Sequence, residues 1–509
     1  MLILKISWRN ILRHKGKSFV IGIILLLGAL IMTIGNAVIK GAQKGIEENF
    51  VNRFSGQIIL VSDKEEKKNV LFTPMGKSLK VITNYEEIKN VLKKQDYITD
   101  FIPLTRGIAM IIGVEDMMNS GTFVIGTNFE EYQKMFLNNV ELIEGEFLKN
   151  NDRGILVSGK ARDLLYKSQD FWLVPDGYKL VEENLSDEAA KNKDSLKIKQ
   201  ELVFMGWGED SYNTDIILPI KGIIRFSSLD AVLREVSFMD IESFRECFGY
   251  FTAADKTADL TEEELDELAL DNDMDIFGGD DLFTETQITG DVDYNFATLK
   301  QETSREDVKI NIDSGAYNFV SIKLKPDIKI DEGIKKIEEV FKQEGVKAKL
   351  IHWKDATGQV AQIALIFQGA LSVFVFILFF IAIIIIMNTL SMAAIERTEE
   401  IGMMRAVGAL KSFITKMFIT ETSLLSFFFG GIGIFLGVII SIGLSNLNIK
   451  TGDNEMLYLL FGGDSFNPMI TPDVITGGIF QLFFVTIIAM IYPILVARKI
   501  TPLDSINRN

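Results

Sequence analysis

The sequence predicts a membrane protein with four transmembrane α-helices and a large α+β domain inserted between helices 1 and 2. Four runs, 18–39, 356–395, 422–449 and 474–497, contain no acidic or basic side chain. Each is long enough to cross a hydrocarbon core of ~30 Å at ~1.5 Å per helical residue. Hydrophobic residues make up 48% of the chain, with 37 Phe and only 9 Pro. This composition is typical of a chain divided between lipid and water.

Five basic residues in segment 1–17 precede the first run, so a cleavable signal peptide is the alternative to an uncleaved membrane anchor. A signal core has ~7 to 15 apolar residues, and the run 18–39 is longer, although Gly35-Asn36-Ala37 offers a weak cleavage site. An uncleaved anchor is therefore favoured. We expect its helix to leave the bilayer and to turn at Ser55-Gly56 into a strand at 57–61.

The run 356–395 would form a helix of ~60 Å, about twice the thickness of the bilayer core. Its densest apolar part, 363–387, fits the membrane. The sequence therefore predicts a stalk on one side and a continuation toward the charged segment 396–421 on the other.

Basic residues near the helix ends predict the orientation. Segment 1–17 carries five Lys or Arg and no acid, and tail 498–509 carries three basic residues against Asp504. Both termini are expected in the cytoplasm. Loop 450–473 has one basic residue against four acids, so it is expected outside together with 40–355. The expected location is a bacterial cytoplasmic (inner) membrane.

Segment 40–355 mixes strand-like runs at 98–112, 121–125, 155–157, 216–224 and 319–324 with helical patterns such as 331–345. It holds 40 of the 53 Lys and Arg but 60 of the 69 Asp and Glu, so it is strongly acidic. This charge argues against nucleic acid as a partner. Because Cys247 is the only cysteine, no intrachain disulfide can form.

An acidic insertion at about 255–285 has 13 acids against Lys256 alone. Counted from Asp271, Ile276 and Leu282 occupy the places where a calcium loop needs Gly and Glu, so the EF-hand interpretation fails. A looser cation site and a solvated, partly disordered insertion remain as alternatives, of which the second is favoured.

Recognisable catalytic chemistry is absent from the sequence. The triplets at 16–18 and 76–78 read GKS but lack the preceding glycine of a phosphate-binding loop, since Ile11 and Leu71 stand there. Two histidines, His14 and His352, suggest no metal or triad site. The runs also lack the ionisable residue that proton-driven carriers usually place within the membrane. We expect a non-catalytic chain with no metal and no cofactor of its own.

Segment 396–421 follows the second uncharged run and contains both acidic and basic side chains. Glu396, Arg397, Glu400 and Arg405 surround an apolar patch of Met403, Met404, Ala406 and Val407. Arg397 and Glu400 have a spacing that makes them neighbours on a helix, and Gly402 and Gly408 allow tight turns. The residues alone leave two interpretations equally open, a docking helix for another protein and an ordinary loop.

The segment ERTEEIGxxRAVGA at 396–409 resembles the signature of FtsX-type ABC transporter permeases, the family that includes MacB and the lipoprotein-releasing permeases LolC and LolE. The likeness extends to WRNILRHKGKS, GEFL, GILVSGKARDLL, YNFVSIKLK, the HW before the stalk, Glu421 and FFFGGIGIFLG. It implies an FtsX-like permease domain at about 360–505 and a MacB-like periplasmic core in 40–355.

The resemblance implies that 396–421 is a coupling helix seated on a cytoplasmic ABC ATPase, which uses ATP. The implied contact and turn positions are Glu396, Arg397, Glu400, Gly402, Met403, Met404, Arg405, Ala406 and Gly408. It also implies a second permease, as a homo- or heterodimer. Since MacB carries its ATPase at the amino terminus and this sequence begins at the anchor, the ATPase is expected on another polypeptide.

Four glycines in the third run, Gly430, Gly431, Gly433 and Gly437, permit close helix packing. Packing within one subunit is slightly favoured, and contact with a second permease is the alternative.

Three functions are consistent with these patterns. The leading hypothesis is release of lipoproteins toward the outer membrane by mechanical transmission, with a periplasmic carrier. The alternatives are MacB-like export of drugs, toxins or peptides with an adaptor, and FtsX-like regulation of cell-wall hydrolases.

Overall fold

The computed structural model describes residues 2–72, 79–112, 120–207, 215–227, 229, 233–250, 252, 311–450, 455–462 and 465–500. The acidic insertion at about 255–285, the second GKS triplet and the tail beyond residue 500 lie outside these ranges. The chain divides into two compact units, Met1–Asn49 with Ala361–Asn509, and Phe50–Val360.

The first unit is helical. Its helices, with those that run on into the other unit, are α1 (Leu2–Arg13), α2 (Lys15–Glu47), α10 (Gly358–Glu396), α11 (Thr398–Ala406), α12 (Lys411–Leu425), α13 (Gly431–Asn446), α14 (Glu455–Phe461) and α15 (Pro472–Lys499), with π-helical turns at Glu48–Ser55 and Ser426–Gly430. Four continuous helical stretches are long and apolar enough to cross a membrane: Lys15–Ser55, Ala361–Glu396, Lys411–Asn446 and Pro472–Lys499.

These helices pack through a core of Ile, Leu, Met and Val from all four stretches, including Leu25, Ile386, Leu425 and Val485. Outside that core their surfaces remain apolar and exposed, as lipid-facing surfaces must be. The stretch beginning at Ala361 is the least buried of the four. The expected stalk and second span form one uninterrupted helix, α10.

The second unit, Phe50–Val360, is built on a ten-stranded mixed sheet. Its strands are β1 (Ile58–Val61), β2 (Ile98–Ile112), β3 (Ser120–Thr127), β4 (Val140–Gly145), β5 (Ile155–Ser158), β8 (Glu201–Trp207), β9 (Asp215–Phe226), β10 (Val236–Asp240), β11 (Phe319–Leu324) and β12 (Lys349–His352). A two-stranded sheet joins β6 (Phe171–Leu173) to β7 (Lys197–Lys199).

The main sheet has the order β12-β1-β11-β2-β3-β10-β5-β9-β4, and β8 pairs with both β2 and β9. Most neighbours are antiparallel, but β3 with β10 and β5 with β9 are parallel. The long strand β2 belongs to both halves of the sheet, since it pairs with β11 through its first half and with β8 through its last residues.

Among the described residues, the α-helices of this unit are α3 (Tyr85–Lys93), α4 (Phe129–Met135), α5 (Gly159–Gln169), α6 (Asp187–Lys191), α7 (Ile241–Cys247), α8 (Ile330–Glu344) and α9 (Trp353–Ala356). The two larger apolar clusters of the described residues lie against the main sheet. One packs α3 and α8 against β1 and β11 through Ile88, Ile337 and Ile322, and the other packs α5 and α7 against the opposite half of the sheet.

These elements confirm the predicted fold class. The predicted strands at 98–112, 121–125, 155–157, 216–224 and 319–324 are β2, β3, β5, β9 and β11. The expected turn at Ser55-Gly56 is also present, since Gly56 has φ +72°, a left-handed conformation that glycine adopts without strain. β1 begins two residues later.

Charged side chains within the second unit are buried in pairs. Arg162 donates from Nη1 to Glu144 over 2.7 Å, and both side chains are buried. Arg245 is fully buried against Glu242 and lies over the Tyr317 ring at 4.5 Å. Cys247 is buried too, and desolvation together with the charge of Asp215 raises the pKa of its thiol to about 12.

Candidate functional site: the segment after the second span

The segment 396–421 does not form the single helix that was predicted. It contains α11, which ends at Ala406, and α12, which begins at Lys411. Gly408 separates them with φ +102°, a conformation that a β-carbon would strain. α12 then continues through the π-helical turn into α13, so the helix that includes the third span begins at Lys411 rather than at 422.

Arg397 and Glu421 form a buried ion pair. Arg397 Nη1 donates to Glu421 Oε1 over 2.6 Å, and the two side chains are 5% and 6% exposed. Asn10 Nδ2 of α1 reaches the other carboxylate oxygen at 3.5 Å. Arg397 thus pairs with Glu421 and not with Glu400, its neighbour by helical spacing. Arg397 precedes the first residue of α11, and its partner lies 24 positions further along the chain, on α12.

Two acids of the segment, Glu396 and Glu400, lie beside basic side chains near the amino terminus. Glu400 Oε1 lies 3.2 Å from His14 Nε2 and 3.7 Å from Arg13 Nη1. Glu396 Oε2 lies 2.6 Å from Lys17 Nζ. Both carboxylates are partly exposed, so each pair on its own stabilises weakly. Together they connect the end of α10 and the first turn of α11 to the α1–α2 corner.

Arg405 is the third attachment of α11. Its Nη1 donates to the backbone carbonyl of Ile500, one residue beyond the end of α15. The side chain is half-buried. Gly402, in the middle of α11, is buried beside Ile401, whose cluster includes Ile414, Met417 and Ala497. Thus Arg397, Gly402 and Arg405 lie toward the rest of the chain.

Apolar residues occupy the opposite side of the turn. Met403 is 60% exposed, Val407 91% and Leu410 72%, and Ala406 and Gly408 are exposed as well. We call these five residues the coupling surface. Met403, Val407, Met404 and Ala409 line a shallow concavity of about 410 Å³. Sequence reasoning included Met403, Met404, Ala406 and Val407 but missed Leu410, whose signal was an apolar side chain directly after Gly408.

The four glycines of the third span differ in what surrounds them. A β-carbon on Gly433 would lie 2.3 Å from the Leu26 carbonyl, and one on Gly437 would lie 2.8 Å from the Thr33 side chain, so both pack against α2. Gly430 packs against Leu482 of α15. Gly431 has open space around it. Three of the four glycines thus serve packing within this chain, and Gly431 faces outward.

Within the described ranges, no group of three or more His, Cys, Asp or Glu side chains is placed to hold a metal ion.

Comparison with known proteins agrees with this architecture. Residues 372–502 match the family described as FtsX-like permease C-terminal. The uncharacterized ABC transporter permease MJ1507 of Methanocaldococcus jannaschii is 28% identical over 227 residues, 41% of this chain and 53% of that protein. The ABC transporter permease YtrF of Bacillus subtilis is 40% identical over 106 residues, 21% of this chain and 22% of that protein. The chain thus spans about half the length of the first relative and less of the second.

Among solved structures, the periplasmic region of MacB from Actinobacillus actinomycetemcomitans is similar over 62% of this chain and 94% of its own, with 10% identity and a TM-score of 0.27. A score this low does not define a common overall fold. The family match, in contrast, covers α11, α12, the last two apolar stretches and most of Ala361–Glu396. Residues 372–502 are therefore similar to the carboxyl-terminal domain of FtsX-like permeases. The predicted likeness to ABC transporter permeases of the FtsX type is confirmed.

Proposed function

We propose that this chain is the membrane subunit of an ABC transporter and that its coupling surface binds a cytoplasmic ATPase. In this scheme both termini and α11 lie in the cytoplasm, and the Phe50–Val360 unit lies on the other side of the membrane. The partner uses ATP, and this chain transmits the resulting motion. A second permease completes the membrane part.

The coupling surface is the observation that carries the proposal. An exposed patch of Met, Val and Leu beside charges is suited to a groove on another protein. Large apolar side chains that face water rather than lipid are otherwise unfavourable. Met403, Val407 and Leu410 belong to a tight turn bordered by Glu399, Lys411 and Ser412, which favours an aqueous location for them.

The attachments of α11 explain how a load would be passed on. Arg397 joins it to α12, Glu400 joins it to the α1–α2 corner, and Arg405 joins it to the chain after α15. α10 ends at Glu396, two residues before α11 begins. A displacement of α11 would thus act on all four apolar stretches together.

The apolar stretches support the proposal that this chain transmits motion and does not conduct an ion or a soluble substrate across the bilayer. The runs 18–39, 356–395, 422–449 and 474–497 contain no charged side chain. An ion or soluble substrate that crossed the bilayer would require polar groups along its path. A cargo that keeps its acyl chains in lipid would not. We therefore propose lipid-anchored proteins as the cargo, released from the outer leaflet to an external carrier.

The coupling surface can be tested by changing Val407 to Asp and Met403 to Asp in the full-length protein. We expect the tagged wild-type chain, purified in mild detergent, to retain an ATPase subunit and the double variant to lose it. Leu447→Asp is the matched control, because Leu447 is equally exposed but lies at the far end of α13. Retention of the ATPase by the double variant, or its absence from the wild-type preparation, would refute the proposal.

The cargo requires a separate test in cells. Depletion of the protein should leave lipoproteins in the membrane from which they are normally released, as measured by fractionation. Normal lipoprotein distribution would eliminate this cargo. Retention of an external adaptor or of a cell-wall hydrolase during purification would then favour export or hydrolase regulation, respectively.

A further inference from the structure

α1 presents two parallel stripes that the proposed function does not use. Leu4, Trp8 and Leu12 are all exposed and recur every four residues. Lys5, Arg9 and Arg13 are also exposed and recur with the same spacing one position later. At about 100° per residue, the basic stripe lies roughly 100° around the helix from the apolar one.

The remaining face of α1 is fixed to the first unit. Ser7 is buried and donates from Oγ to the Met417 carbonyl over 3.3 Å. Asn10 reaches Glu421, and Ile6 packs with the cluster around Met417 and Ile401. Since this face is occupied, the orientation of both stripes is set by contacts with α12 and α11 rather than by the bilayer.

The apolar stripe continues a surface that belongs to the third apolar stretch. The Trp8 ring lies 5.7 Å from the ring of Phe428, which is itself exposed in the π-helical turn between α12 and α13. Phe427 beside it is also exposed. Trp8 therefore lies where this stretch meets the membrane boundary, the position that tryptophan favours.

We infer that α1 lies in the membrane interface, with Leu4, Trp8 and Leu12 in the acyl region and Lys5, Arg9 and Arg13 binding the phosphates of anionic phospholipids. Two observations carry this inference. The three faces of α1, packed, apolar and basic, are those of a helix between protein, hydrocarbon and headgroups. Lys5 and Arg9 also form no ion pair with any residue in the described ranges.

The basic stripe also lies close to the beginning of segment 396–421. Arg13 ends the stripe and lies 3.7 Å from Glu400, and Lys17 holds Glu396 one turn later. A headgroup phosphate and the Glu400 carboxylate would thus share one guanidinium. Anionic lipid would bind beside the attachment of α11 without contacting the coupling surface. This inference does not depend on an ATPase partner.

The test uses full-length protein in nanodiscs and the fluorescence of Trp8, taken as the difference between wild type and Trp8→Phe. Lipids brominated on the acyl chain serve as quenchers, either as phosphatidylglycerol or as phosphatidylcholine at the same mole fraction. We expect stronger quenching by brominated phosphatidylglycerol, and we expect this excess to fall as salt increases. At constant ionic strength, added inorganic phosphate should leave the excess unchanged, because the site requires the lipid surface.

The variant Lys5→Gln/Arg9→Gln should lose the excess while Trp8 remains quenched by either lipid. Lys335→Gln/Lys342→Gln removes the same charge from exposed positions of α8 and should keep the excess. Equal quenching of the wild type by the two lipids would overturn the inference even if the variant failed to insert. So would an unchanged excess in the α1 variant, or loss of the excess on adding free phosphate.

Discussion

Arg397 Nη1 and Glu421 Oε1 lie 2.6 Å apart in a pocket that excludes water from both side chains. The pair joins the residue that precedes α11 to the last turns of α12. Nδ2 of Asn10, on α1, lies 3.5 Å from the other oxygen of the carboxylate. Three elements that are distant in sequence therefore meet at one carboxyl group.

Removing one member of this pair should destabilise the helical unit strongly. Arg397→Met or Glu421→Gln leaves an uncompensated buried group, which costs about 3–5 kcal/mol when a buried ion pair is broken. The double variant should lose less stability than the two single variants lose when their losses are added. The measurement is the apparent Tm in one detergent. Glu399→Gln, at an exposed position in the same segment, is the control and should change little. Additive losses would contradict the direct pairing.

Gly433 and Gly431 should respond oppositely to alanine. A β-carbon at Gly433 would lie 2.3 Å from the Leu26 carbonyl, so Gly433→Ala should separate α13 from α2 and cost about 1–3 kcal/mol. Gly431→Ala meets nothing within 4 Å and should be neutral or stabilise by up to about 1 kcal/mol, because alanine favours helix. Apparent Tm values compare the two. Equal changes in Tm at the two positions would contradict the assigned packing of Gly433 against α2.

Gly431 is accordingly the position that can report contact with a second permease. Gly431→Leu should leave the monomer folded, whereas Gly433→Leu should not. Cross-linking or native mass measurement of the Gly431→Leu protein then shows whether that surface joins two subunits. An unchanged dimer would place the contact elsewhere.

Stability should fall below neutral pH through His352. Burial, followed by the charge of Lys354, lowers the pKa of His352 from 6.5. Its Nδ1 accepts from the Lys354 amide over 3.1 Å and so caps α9, which requires the neutral ring. The unfolded chain binds the proton more readily, so this stabilisation is complete above pH 6.5 and is lost as pH falls below 6.5 and through the lower pKa of the folded state.

The check is the Tm difference between wild type and His352→Asn, measured across this pH range. Asparagine caps helices without titrating, so the variant should lose stability less steeply as pH falls. His14→Gln removes the other histidine and should leave the His352 contribution in place. Parallel curves for wild type and His352→Asn would refute the assignment.

Sequence patterns predicted those strands and helices whose surroundings, protein core or lipid, stay the same along the whole element. The strands from Ile98 to Ile112 and from Phe319 to Leu324 were predicted within one residue, because each is an unbroken apolar or alternating run. The uncharged runs likewise identified four helices. Their ends were less certain, because a helix that leaves lipid need not stop. The continuation of α2 past Ile39 was expected, but the third-span helix starts eleven residues before 422, which was not.

The contacts of the coupling segment lay beyond sequence reasoning. Helical spacing made Arg397 and Glu400 neighbours, but each of them pairs with a residue of another element. The true partners, Glu421 and His14, are 24 and 386 positions away. No local pattern encodes such distances. The parallel pairing of β3 with β10 was unpredictable for the same reason.

The burial of Cys247 makes this protein suitable for labelling at a single engineered cysteine. Because the one native thiol is inaccessible and its thiolate is suppressed, a single cysteine engineered on the surface would be the only site to react with a membrane-impermeant maleimide. Such a probe in the Val407 turn, compared with one on α8, would report the sidedness of each in intact cells. No prior removal of native cysteines would be needed.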